Sequence, residues 1–199
     1  FQPGETWHYS IADDVLGVLL ERALGRSLAE IVRERVTGPL GMVDTDFDVA
    51  EASLPRLATL YRRGDDGTLV PVEAPFGAHA EPGRGFPSGG AGMFSTLHDY
   101  ARFGRFLLGD GSLDGQRVLG RKIIEFARRD SLPAGQTAGR PGHGWNLFAA
   151  VATEPGASSD PFSPGTMYWN GAATTSFFAD PAEELVAVLF TQHVPFDER

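Results

Sequence analysis

The sequence predicts an α+β protein, and three observations carry that prediction. Helix signals fill the first two thirds of the chain, beginning with an amphipathic stretch after Ser10 and a Ser27-Leu28-Ala29-Glu30 capping box. Strand signals gather late, above all in Leu185 to Thr191, a nearly unbroken apolar run of strand length. The two kinds of signal do not alternate, which argues for segregated helices and strands rather than repeated βαβ units.

Taken in order, Pro3-Gly4-Glu5-Thr6 is a turn leading into Trp7-His8-Tyr9-Ser10. Ser10 is expected to cap a helix whose first turn carries Asp13 and Asp14, favourable at its positive end. Ile11, Val15, Leu16, Leu19, Leu20, Ala23 and Leu24 form the apolar face, and Gly25 ends the helix. The capping box opens a second helix that runs to about Thr37 and is stopped by Gly38-Pro39-Leu40-Gly41-Met42. A hairpin is expected next, with arms Leu57–Arg62 and Thr68–Val72 joined by Gly64-Asp65-Asp66-Gly67. Residues 73–87 read as an irregular loop long enough to line a site. Thr96 can cap a helix buried through Tyr100, Phe103, Phe106 and Leu107, ended by Gly109-Asp110-Gly111, and a further helix covers about Lys122 to Arg129. Residues 131–143 are loop and Gly144–Thr153 reads as one strand. The closing stretch Thr166–Gln192 reads as a hairpin. Its first arm enters through Trp169-Asn170-Gly171-Ala172-Ala173 and ends in Ser176-Phe177-Phe178-Ala179. Its second arm is Leu185–Thr191, and Asp180-Pro181 breaks the ladder because proline has no N–H to donate. Small residues after Gly171 leave backbone N–H groups open to a ligand. The expected organisation is a mainly helical region over 1–140 and strands over 141–199, together one unit.

Composition narrows the function. The net charge is −9 and no basic cluster occurs, which argues against a nucleic-acid surface. The absence of cysteine excludes disulfides, thiolate metal sites and a Cys nucleophile. The five histidines show no i, i+4 pair, so no metal is expected. No apolar run reaches ~18 residues, so no membrane span is expected. Ser88, in Phe86-Pro87-Ser88-Gly89-Gly90, lacks the strand-led elbow of a Ser-His-Asp hydrolase, and no phosphate loop or dinucleotide fingerprint is present.

The order of short blocks is more informative. Pro3-Gly4-Glu5-x-Trp7-x-Tyr9-Ser10 is followed by Pro39-Leu40-Gly41-Met42-x-Asp44-Thr45. Ser88-Gly89-Gly90-Ala91-Gly92-Met93-x-Ser95-Thr96-x-x-Asp99-Tyr100 comes next, then Trp169-x-Gly171 and Phe178-x-Asp180-Pro181. In this order the blocks resemble the serine β-lactamase and penicillin-binding-protein superfamily. The class C-like branch called family VIII carboxylesterases is the nearest match, and the resemblance covers residues 2–195.

The resemblance implies a β-lactamase/transpeptidase-like fold, an antiparallel sheet packed by helices beside a helical region, incomplete at the N-terminus and at the C-terminus. It implies that Tyr9 lies beside a nucleophilic Ser and a Lys and shares proton transfer with that Lys. It implies that Trp169-Asn170-Gly171 occupies the place of the Lys-Thr-Gly strand lining the substrate, and that the Ala172 N–H donates to the oxyanion. Two departures favour a neutral ester over a carboxylate-bearing lactam: Ile11 replaces the Asn of the Tyr-x-Asn motif, and Trp169 replaces the Lys. A third departure concerns the nucleophile. The family's Ser-x-x-Lys cannot be present, because the one lysine is Lys122 and Leu119 stands three residues before it. The chain, which begins Phe1-Gln2-Pro3-Gly4, is therefore expected to be part of a longer protein whose missing N-terminal segment carries the nucleophile. The expected activity is cofactor-free hydrolysis of small esters through an acyl-serine, by the complete protein. The rival expectations are a β-lactamase or DD-peptidase type of amide hydrolase, and a non-catalytic binding member of the fold.

Overall fold

The computed structural model describes residues 1–73, 86–154 and 156–195. The chain divides into two compact units. One comprises residues 1–9, 101–170 and 176–188, the other residues 10–100, 171–175 and 189–199. Nearly all of the loop expected over 73–87 lies outside the described residues.

The second unit starts with α1 (Ala12–Leu24). The cap falls one residue later than expected. Ile11 holds the cap position without a side-chain bond, while Ser10 Oγ accepts from the Ala12 N–H at 3.2 Å. The shift reflects the reach of a short hydroxyl, which here serves the first free N–H from one residue further out. Gly25 closes the helix in the left-handed conformation at φ 65°. Ile11, Val15, Leu16, Leu19 and Leu24 are half or more exposed, so most of the apolar face of α1 is uncovered in this chain. α2 (Leu28–Val32) carries the expected capping box in full, with reciprocal Ser27–Glu30 bonds. It continues through one π turn over Arg33–Thr37 into the short α3 (Gly38–Leu40).

The expected hairpin after α3 is shorter than its apolar pattern suggests: a 3₁₀ turn over Glu51–Arg56 precedes it, and residues 57–60 approach it without pairing in a strand. β1 (Tyr61–Arg63) and β2 (Leu69–Pro71) pair antiparallel. β10 (His193–Val194) then joins β1 in parallel, Tyr61 opposite His193, giving the order β10-β1-β2. Buried Asp99 ties this unit together by accepting from the Asp44 N–H at 2.8 Å and from Thr45 Oγ1 at 2.9 Å. Asp99 lies in the first turn of α4 (Leu97–Leu108), where Thr96 caps as expected by accepting from the Asp99 N–H.

In the first unit, β3 (Ser112–Leu113) and β4 (Gln116–Arg117) form a tight hairpin about Asp114-Gly115, both at positive φ. α5 (Arg121–Ala127) follows. The main sheet runs, from edge to edge, through β5 (His143–Trp145), β6 (Ala150–Ala152), β7 (Met167–Gly171), β8 (Thr175–Asp180) and β9 (Leu185–Leu189). The single strand expected over Gly144–Thr153 is two: β5 (His143–Trp145) and β6 (Ala150–Ala152), antiparallel with Trp145 opposite Ala150. Asn146 makes the reversal. Its Oδ1 accepts from the Phe148 and Ala149 N–H groups, and its own N–H donates to the Ala149 carbonyl. The first arm of the closing hairpin is likewise two strands, β7 (Met167–Gly171) and β8 (Thr175–Asp180), because the chain turns at Gly171–Thr174. The Asp180-Pro181 break stands as expected. Asp180 Oδ1 accepts from the Ala182 and Glu183 N–H groups before β9 (Leu185–Leu189) begins. α4 crosses close to β8 and β9 at Gly104, where an added Cβ would lie 2.5 Å from Val186 and 3.1 Å from the Phe177 ring. Among the described residues no helix is long and apolar enough to cross a membrane.

Candidate active site

Tyr9 ends the segment before α1 and is 58% exposed. Its ring stacks on Trp169 of β7, with centroids 5.4 Å apart and planes inclined at 29°. Two further indoles join them. Trp145, at the end of β5, meets Trp169 edge-on at 4.8 Å. Trp7, two residues before Tyr9, packs on Trp145 at 5.3 Å and on Tyr9 at 6.3 Å. The four rings close a circuit that contains all three tryptophans of the sequence. Sequence reasoning brings Tyr9 and Trp169 to one site only through resemblance and misses Trp145. The one local signal is the Trp7-x-Tyr9 spacing, which puts two rings on one side of an extended segment.

A buried polar network lies on the same strands. His143, 1% exposed, faces Tyr168, whose hydroxyl is 2.7 Å from Nδ1. Arg140 donates to the Tyr168 hydroxyl at 3.2 Å and lies 5.6 Å over its ring. Asp160 approaches both Arg140 and His143 Nε2 at 3.4 Å. Burial holds the His143 imidazole below the usual histidine range, the Arg140 charge pushes it the same way, and Asp160 opposes them. The network is possible because the intervening strand β6 presents Ala150 opposite both Trp145 and Tyr168, and Ala152 opposite His143. Methyl groups there leave room for the larger side chains to meet across the middle strand.

The remaining expected residues occupy the turn after β7 and the start of α1. Asn170 is half-buried on β7 beside Trp169. Gly171 is constrained by space: a Cβ there would lie 2.2 Å from Thr175 Oγ1. The Gly171 carbonyl accepts from the Thr174 N–H at 3.0 Å. Thr174 has φ 59°, uncommon for a β-branched residue, and is clamped there. Its Oγ1 donates to the His193 carbonyl at 2.9 Å, and Thr191 Oγ1 donates to the Thr174 carbonyl at 2.6 Å. Ala172 is exposed at the head of this turn, and the bonds that close the turn use the Thr174 N–H and the Ala173 carbonyl rather than the Ala172 N–H. Ile11 is 71% exposed at the cap of α1, where its carbonyl accepts the first helical N–H groups.

Ser88 is engaged otherwise. Its hydroxyl donates to Asp14 Oδ1 at 2.5 Å and accepts from the Ala91 N–H at 3.0 Å, tying the Ser88-Gly89-Gly90 turn to the first turn of α1. Among the described residues no group of three or more histidine or acidic side chains is arranged to hold a metal ion.

Comparisons with known proteins agree with this architecture. The chain is 40% identical over 205 residues to Protein Rv1367c of Mycobacterium tuberculosis, covering 98% of this chain and 50% of that protein. It is 36% identical over 210 residues to Esterase EstB of Burkholderia gladioli, covering 96% of this chain and 50% of that protein. The structure of EstCE1, described as a hydrolase with promiscuous acyltransferase activity, superposes with a TM-score of 0.84 at 26% identity, over 97% of this chain and 53% of that one. The chain thus spans about half the length of the curated relatives it matches. The fold is the α+β fold of β-lactamases and penicillin-binding proteins. The family described as Beta-lactamase matches residues 1–199 from end to end, and the chain belongs to that family.

Proposed function

We propose that the complete protein is a serine hydrolase that cleaves small carboxylic esters through an acyl-serine intermediate, and that this chain supplies the proton relay, one oxyanion donor and part of the substrate wall. The observation that carries the reading is the exposed Tyr9 phenol stacked on Trp169. An indole stands where amide-cleaving relatives would place a cation, and Ile11 offers no amide partner. Both suit a neutral ester. The nucleophilic serine and its lysine lie, in this reading, on a preceding segment of the complete protein, and Esterase EstB among the relatives supports the choice of ester. The serine oxygen attacks the ester carbonyl, the alcohol leaves with a proton relayed through Tyr9, and the Ala172 N–H holds the oxyanion. Water then attacks the acyl-serine and returns the serine its proton, releasing the acid.

The test uses the complete protein and p-nitrophenyl butyrate. Tyr9→Phe keeps the ring and removes the O–H, so it should lower kcat by about 10²–10⁴ without unfolding the protein. A folded Tyr9→Phe variant with near-normal turnover would reject the assignment of Tyr9. The 199-residue chain alone should neither turn over the ester nor be labelled by a fluorophosphonate. Stoichiometric labelling of one of its serines would reject the placing of the nucleophile. Faster turnover of nitrocefin than of the ester would replace ester by lactam.

A further inference from the structure

Tyr9 is more than half exposed, and among the described residues no hydrogen bond holds its phenol oxygen. Something else must fix a ring whose oxygen has to meet its proton partner to within about an ångström. The ring contacts are what remain, and they run through a residue that is not itself in contact with Tyr9. Trp145 touches Trp169 at 4.8 Å and Trp7 at 5.3 Å, the two indoles that flank Tyr9. Trp7 and Tyr9 share a short segment before α1, so a displaced Trp7 carries Tyr9 with it. Trp169 is the surface on which Tyr9 stacks.

Trp145 is well placed to hold both. It stands at the end of β5, immediately before the Asn146 reversal, whose three hydrogen bonds fix where the strand stops. It lies opposite Ala150, which in turn lies opposite Tyr168, the neighbour of Trp169. The 2.7 Å contact of Tyr168 with His143 fastens β7 to β5 across β6, two residues from Trp145. The separation of the Trp145 and Trp169 backbones is therefore set by the sheet and by a buried hydrogen bond.

We propose that Trp145 is a positioning residue for Tyr9: it aligns the phenol by bracing Trp7 and Trp169 and takes no part in binding or proton transfer itself. The inference rests on the proposed role of Tyr9 in ester hydrolysis, and its test separates the two. In the complete protein, Trp145→Ala should lower kcat on p-nitrophenyl butyrate by about 10- to 100-fold, the order expected for a misplacement of an ångström, and leave KM within about threefold. The same substitution in a Tyr9→Phe background should cost less than about threefold, because a residue that acts through the phenol has nothing left to position. Trp145→Phe keeps an aromatic brace and should give a smaller loss with the same dependence on Tyr9, which preserves the test if Trp145→Ala fails to fold. All three indoles lie in one circuit, so the unsubstituted protein should show an exciton couplet near the indole band in circular dichroism that Trp145→Phe abolishes. Equal losses in both backgrounds, no loss in the first, or a couplet unchanged by Trp145→Phe would each overturn the inference while leaving the role of Tyr9 standing. Full activity of Tyr9→Phe would instead overturn the proposed function, and this inference with it.

Discussion

Tyr168→Phe removes one oxygen from the buried network and little else. Tyr168 is 5% exposed and His143 1%, so water cannot readily replace the lost hydroxyl beside Nδ1. The bond itself contributes about 1 kcal/mol net, and a buried polar group left without a partner costs about 1–3 kcal/mol. Arg140 is partly exposed and can turn to solvent, so its lost contact adds little. The expected cost is about 2 kcal/mol, most of it the stranded imidazole nitrogen. Equilibrium urea unfolding followed by far-UV circular dichroism, at a pH where His143 is neutral, reads that loss as a lower midpoint with unchanged slope. The double variant Tyr168→Phe with His143→Phe supplies the control. Replacing both partners by apolar rings leaves neither half of this bond stranded, and the effect on Asp160 is shared with the single His143→Phe variant, so the loss should fall about 1 kcal/mol or more short of the sum of the single losses. A Tyr168→Phe loss below about 0.5 kcal/mol, with no coupling to His143, would refute the view that this contact fastens β5 to β7.

The same imidazole makes stability depend on pH. Its folded value lies below the unfolded value of about 6.5, so above that pH it adds no slope. As the pH falls further, the unfolded chain binds a proton that the folded chain refuses until the lower folded value is reached, and stability declines across that window. Urea midpoints at pH 7.5 and 5.5 should therefore differ by more in the parent than in His143→Phe. At the other end of the chain, Ser27→Ala removes the hydroxyl that accepts from the Glu30 N–H at 3.3 Å, and should cost about 1 kcal/mol in the same unfolding assay.

Features that depend only on near neighbours along the chain are legible in the amino-acid sequence. The Ser27–Glu30 box, the Thr96 cap and the Gly25 stop each need only three or four residues to meet, and all three form. Asp114-Gly115 is a local hairpin signal of the same kind, and it lies beyond the Gly109-Asp110-Gly111 stop at which the α4 reading ends. The reversal at Asn146 is harder to see, because Trp145, Leu147, Phe148, Ala149 and Ala150 make a continuous apolar stretch in which one asparagine is the sole mark of a turn. The parallel pairing of β1 with β10 has no local signature at all, since the two strands are separated by well over a hundred residues and each is only two or three residues long. The site divides in the same way. The small residues after Gly171 are visible in composition but the turn they make is not, the Tyr9–Trp169 stack enters through resemblance, and the Trp7–Trp145 brace appears only through the sheet register. Pattern shows that a ring is present; only tertiary packing shows which ring it meets.

The uncovered face of α1 leaves apolar area whose burial would add to the stability of the folded chain. Val15, Leu16, Leu19 and Leu24 expose 50–62% of their surface. Completing the burial of four such side chains is worth about 3–6 kcal/mol, a sizeable share of the 5–15 kcal/mol by which a domain is stable. A surface that covered that helix in the folded chain and not in the unfolded one would raise stability with the logarithm of its concentration. Folding of α1 and docking of such a surface would then be two readings of one equilibrium.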